Sequence, residues 1–168
     1  MTNNSYTANN LEQQLKASTS LLEHILIACD YFEYYVNLIL TNAEGNPKIL
    51  SQINCSPEQK LMYVMGLMRT FDEEDENGVC LIWGDIKKMY DLRNRLHRLN
   101  EAELDKEVRK LFKPDKESPD YKEIISMSTL ELLDFSCGGT VYWLEDFAKS
   151  ADQKDSGSDD YCGLDRSV

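Results

Sequence analysis

The sequence predicts an all-α fold, a single-domain bundle of about five helices. Three observations predict it. Apolar residues recur at spacings of three, four and seven along most of the chain, which is the signature of one buried helix face. Only four prolines and eight glycines interrupt 168 residues. Long runs are rich in Leu, Met, Glu, Lys and Gln, which favour helix.

Residues 1–9 are polar and read as a disordered lead. A long first helix is expected from Leu11 to Leu40, with Leu22, Leu26, Cys29, Val36 and Leu40 forming its stripe. Glu33 occupies a slot in that stripe. The aromatic cluster Tyr31, Phe32, Tyr34 and Tyr35 widens the apolar face. Gly45 and Pro47 stop the helix. The second helix opens at "SPEQK": Ser56 can cap, Pro57 suits the first position and Gln59 can close a capping box. Leu61, Val64, Met65 and Met68 follow as its stripe, and it ends near Phe71.

A third helix is expected from about Val79 to about Arg98, with Ile82, Ile86, Met89, Arg93, Leu96 and His97 on one side. Asn100 and Glu103 make a capping box for a short fourth helix. Ser118 and Pro119 open a fifth, running to about Ser150 with Ile124, Leu132, Phe135, Val141, Leu144 and Phe147 as apolar surface. Gly138 and Gly139 lie mid-pattern, where they cost helix stability. They imply a close helix crossing or a kink. The bundle domain therefore spans 10–150, and 151–168 reads as an acidic disordered tail.

The formal net charge is -12, which repels phosphate backbones at long range and argues against a dedicated DNA-binding module. Five scattered cysteines without a CxxC pattern fit a reducing cytoplasm and no zinc site. No metal or other cofactor is expected. The polar N-terminus is no signal peptide, and the apolar runs are too short to span a membrane.

Arg93 and His97 are one helical turn apart if the third helix holds, so their side chains should meet. Arginine is almost never buried without a partner, so Arg93 calls for a facing acid. Glu33 is the first choice, with Asp30 and Asp91 behind it. In one reading Glu33, Arg93 and His97 form a structural polar clasp. In the other, Arg93 binds an RNA phosphate and His97 moves a proton to or from a ribose or leaving oxygen. No GxSxG or HExxH occurs. A His24–Cys29 nucleophile pair is poorly supported because both residues fall on the expected core helix, and a di-metal bundle because no second ExxH-type motif accompanies the acids of that helix. A third reading makes Asp72 to Glu76 and the acidic tail a decoy that imitates nucleic acid.

The acid-bearing first helix, then "QKLMYVMGLM", an acidic linker and "IKKMYDLRNRLHR" resemble the HEPN-like helical domains, and within them the mannitol operon repressor family. The resemblance covers roughly residues 15 to 112, and Leu92-Arg93-Asn94 leading to His97 is its strongest piece. It implies a helical bundle that forms a homodimer. HEPN ribonucleases join an arginine and a histidine across the dimer cleft, which would give Arg93 the phosphate, Asn94 its positioning and His97 the acid–base role. Here only Asn94, Arg95 and Leu96 intervene, a shorter spacer than the family motif. The mannitol-repressor relatives instead imply a non-enzymatic cytoplasmic regulator that binds a protein partner.

Overall fold

The computed structural model describes residues 6–44, 55–69 and 76–154. Every regular element among them is helical: α1 (Ala8–Ala17), α2 (Leu21–Glu44), α3 (Pro57–Arg69), α4 (Glu76–Arg93), a 3-10 turn η1 (Leu96–Arg98), α5 (Glu101–Leu111), α6 (Tyr121–Ser126) and α7 (Thr129–Lys154). The all-α bundle is thus present, with seven α-helices where about five are expected.

The two extra helices come from hydroxyl residues that end one helix and cap the next. The helix expected over 11–40 breaks at Ser18-Thr19-Ser20. The Ser18 N–H bonds back to Gln14 O at 3.1 Å and its hydroxyl donates to Glu23 at 2.7 Å. Ser20 Oγ then accepts from the Glu23 N–H at 3.3 Å. Such side chains compete with the helical backbone and reward a restart. The expected fifth helix breaks in the same way at Ser128. Glu131 N–H donates to Ser128 Oγ at 3.2 Å, and Ser128 N–H donates to the Glu131 carboxylate at 2.7 Å. The "STLE" at 128–131 is a capping box inside a longer apolar pattern.

The start of α1 also corrects the expected lead. Thr7 caps it by accepting from Asn10 N–H at 3.2 Å. Tyr6 stacks on Tyr34 with ring centres 4.3 Å apart, and its carbonyl accepts from the Tyr35 hydroxyl at 2.9 Å. Residues 6–9 therefore belong to the bundle. At the other end α7 reaches Lys154, so 151–154 are helix; 155–168 lie outside the described residues, as do 1–5.

Cross-helix contacts fix the topology. α1 folds back antiparallel to α2, with Gln14 donating to the Tyr31 hydroxyl at 2.9 Å near one end and Tyr6 meeting Tyr35 near the other. α2 and α7 run parallel: His24 faces Asp134 at 3.2 Å, and Asn42 donates to Ala148 O at 3.2 Å. α4 is antiparallel to both. Its Trp83 meets Trp143 edge-on at 5.7 Å, while Met89 O accepts from the Cys29 thiol at 3.6 Å. Asn94 reaches Glu58 at 2.7 Å, so α3 and α4 form a hairpin. α5 doubles back along α4, with Arg95 on Glu107 at 2.9 Å and Lys88 over the Phe112 ring. The expected capping boxes at Ser56/Gln59 and Asn100/Glu103 are both formed.

Tyr31, Phe32, Tyr35, Trp83 and Tyr90 fill the centre, with Ile, Leu and Val around them. The expected crossing at Gly138 and Gly139 is absent. A Cβ at either would meet nothing within 4 Å, and α7 runs unbroken through both. Among the described residues no helix is long and apolar enough to cross a membrane.

Candidate functional site

The polar junction between α2, α3 and α4 gathers most of the residues singled out by the sequence. Glu33 sits on α2 beside Tyr34, partly exposed. Arg93 is the last residue of α4, and its Nη1 lies 3.4 Å from Glu33 Oε2. The two side chains keep 33% and 32% of their accessible surface, so the pair is screened by water on one side. Asn94 follows, with its amide donating to Glu58 at 2.7 Å. Hydrogen bonds from Ser56 and then Asn94 hold the Glu58 carboxyl below its ordinary range.

Behind this pair the junction turns dry. Tyr90 is buried, and its hydroxyl has no hydrogen-bond partner among the described residues. Burial raises its pKa well above that of a free phenol. Burial likewise pushes the Cys29 thiol up to about 12, with the nearby Arg93 charge acting in the opposite sense. A thiol held protonated is a poor nucleophile. Cys29 therefore serves as core.

His97 stands apart from the clasp expected of it. The α-helix stops at Arg93, and His97 lies on η1, exposed. Its Nε2 accepts from Arg98 Nε at 3.0 Å. The turn tightens here because Arg95 N–H bonds to Leu92 O, three residues back, and Arg95 Nε covers Asp91 O at 3.2 Å. Satisfying terminal carbonyls in this way ends a helix. The one-turn alignment of Arg93 with His97 requires continuous α-helix and is lost. The clasp is Glu33–Arg93 with Asn94–Glu58 beside it, and His97 is outside it.

His24 is the polar residue that the sequence reading undervalued. It is buried on α2, with Nδ1 3.3 Å from Ser20 O and Nε2 3.2 Å from Asp134 Oδ1. The second contact has the distance of an ion pair but poor hydrogen-bond direction. Burial, opposed by His24, keeps the Asp134 carboxyl above its ordinary range. The available signal was a histidine on the first helix's inner face, which needs a polar partner from another helix.

A cleft of about 570 Å³ opens elsewhere, lined by Thr19, Leu21, Glu101, Asp105, Arg109 and Thr129 among others. None of Glu33, Arg93, Asn94 and His97 lines it. Asp105 accepts from the Thr129 hydroxyl and lies 3.5 Å from Arg109 Nε. Asp105 and Arg109 are thus already engaged with each other, and no histidine or cysteine faces the cleft. Among the described residues no cluster of His, Cys, Asp and Glu could hold a metal.

The outer surface carries large apolar side chains on several helices. Met62 and Tyr63 project from α3, with Met62 71% exposed. Phe135 and Tyr142 lie two turns apart on α7, with Tyr142 also 71% exposed. Leu22 and Leu26 are one turn apart on α2.

No protein-family model matches this chain, and no curated protein or solved structure does.

Proposed function

We propose that this chain is a non-enzymatic cytoplasmic regulator that works through protein–protein contacts, as its resemblance to the mannitol operon repressor family implies, and that it does so as a homodimer. The observation that carries the reading is the set of exposed apolar residues, Met62 and Tyr63 on α3 and, on a separate helix, Phe135 and Tyr142 on α7. Methionine and tyrosine are enriched at contact surfaces. Arg93 supports it as well, since its charge is already directed at Glu33 within one subunit.

Sedimentation of the native chain against Met62→Asp and Tyr142→Asp tests the reading. Both side chains are largely exposed, so the fold should survive. The expected result is a dimer weakened about tenfold or more by at least one substitution. A native chain that stays monomeric at every concentration overturns the homodimer.

One observation favours a metal-independent HEPN-type endoribonuclease as the second reading. His97 is exposed and Arg93 is only half-buried, so both could reach a strand of RNA. In that reading Arg93 binds the phosphate, Asn94 positions it and His97 transfers the proton.

A further inference from the structure

Basic residues are unevenly placed along this acidic chain. Residues 87–116 hold ten of its 18 lysines and arginines against six acids, while the rest holds eight bases against 24 acids. The basic stretch is the C-terminal half of α4, η1, α5 and the turn that follows. Arg95 on Glu107 and Lys88 over the Phe112 ring link its two parts, while α5 itself packs on α2 and α7.

Most of its arginines are engaged. Arg93 faces Glu33, Arg95 faces Glu107 and Arg109 faces Asp105. Lys88 reaches Asp85 at 2.7 Å. The charges left over are lysines and Arg98, whose Nε donates to His97 rather than to an acid. α5 buries Leu104 and Val108 one turn apart, and Lys106 and Lys110 stand about 200° from them on the helix wheel. Lys113 and Lys116 follow beyond the C-cap Phe112. All four are exposed, and none has an ion pair among the described residues. Lys110 and Arg109 also offset the dipole at the end of α5. That accounts for the last turn of α5; Lys106, a turn earlier, and Lys113 and Lys116 beyond it are left without such a role.

We propose that this lysine ridge docks an acidic segment of a partner protein. The inference rests on the protein-contact reading above and names the partner's chemistry. Charge complementarity identifies the occupant, and two observations favour carboxylates over phosphates. The guanidinium forks that grip phosphate in pairs are largely spent on internal acids. The aromatic side chains of the stretch, Tyr90 and Phe112, are buried and offer no stacking platform for bases. The acidic remainder of the chain would also repel a long polyanion more than a short acidic segment, because charges beyond about 8 Å, one Debye length, are screened.

Fluorescence anisotropy with a labelled oligoglutamate peptide and an oligouridylate of equal charge decides it. The native chain should bind the peptide, less tightly as salt rises. Lys106→Glu, Lys110→Glu and Lys113→Glu combined should weaken binding about tenfold or more, in a chain that still unfolds cooperatively and loses little stability, that loss coming from the charge reversed at the end of α5. The milder combination Lys106→Gln, Lys110→Gln and Lys113→Gln should lie between. Lys60→Glu with Lys122→Glu, off the ridge, should bind like the native chain. No peptide binding, an equal loss in the off-ridge variant, or oligouridylate binding as tight as the peptide would each overturn the proposal. Peptide binding lost while Met62-dependent association persists removes the ridge alone; the converse removes the apolar-face dimer alone.

Discussion

Arg93 Nη1 lies 3.4 Å from Glu33 Oε2, and this one contact ties the C-terminal end of α4 to the middle of α2. It satisfies a positive charge at a helix C-terminus, where the backbone dipole favours one. With both side chains about one-third exposed, the pair is a strut at the water's edge. Desolvation costs little there, and the attraction is correspondingly small.

A double-mutant cycle should show this. The coupling energy between Glu33→Ala and Arg93→Ala is expected at about 0.5–1 kcal/mol by urea unfolding. A coupling of about 3 kcal/mol or more would mean a buried pair and contradict the geometry.

His97→Ala should change stability by less than about 0.5 kcal/mol, because the ring is exposed and touches Arg98 alone among the recorded polar contacts. Thermal unfolding of the variant measures it. A loss of several degrees would restore His97 to the clasp.

Glu58 gives a pH dependence of definite sign. Its folded pKa is below the ordinary 4.5, through hydrogen bonds from Ser56 and Asn94. The folded chain therefore binds fewer protons than the unfolded chain at pH values below 4.5. The stabilisation is complete above that value and is lost as pH falls through the folded pKa. Native and Glu58→Gln chains should differ in urea midpoint near neutral pH and converge as the buffer is acidified through the folded pKa. Midpoints that diverge on acidification would reverse the assignment.

Gly138→Ala and Gly139→Ala should each stabilise the chain by about 0.5–1 kcal/mol, because alanine costs less backbone entropy in a helix and its methyl meets nothing. Denaturant midpoints test both. A loss of stability would show that a neighbour does pack against α7 there.

Cysteine reactivity should divide by burial. Cys29 and Cys137 are buried with thiol pKa values pushed up, whereas Cys55 is half-exposed. Among these three, Cys55 should be alkylated first under native conditions, with mass spectrometry locating the label. Early labelling of Cys29 would mean the α2–α4 junction opens readily.

Much of this was legible in the sequence. The apolar stripes and the aromatic cluster beside the first placed Tyr31, Phe32, Val36, Ile86 and Met89 in the core, while Leu22, Leu26 and Phe135 of the same stripes face outward; the Ser56 and Asn100 caps marked two helix starts. The Glu33–Arg93 pairing followed from two charges in apolar slots, since each needed the other. What the stripes concealed were the restarts at Ser20 and Ser128, where the apolar spacing carries on across the break while hydroxyls turn the backbone. The position of His97 failed for a related reason. Periodicity alone continued α4 past Arg93, whereas the backbone there is tightened by Arg95 and Asn94 contacts, two of which depend on α3 and α5 being in place. The Asp134 partner of His24 lies 110 residues along the chain, beyond the reach of any local pattern.

The most direct test of the central claim is cleavage of labelled single-stranded RNA with chelator present, comparing the native chain with Arg93→Ala and His97→Ala. The account predicts no cleavage by any of the three, with Arg93→Ala less stable than the native chain and His97→Ala equally stable. Products ending in a 2′,3′-cyclic phosphate that appear with the native chain and vanish in His97→Ala would contradict it and establish the ribonuclease.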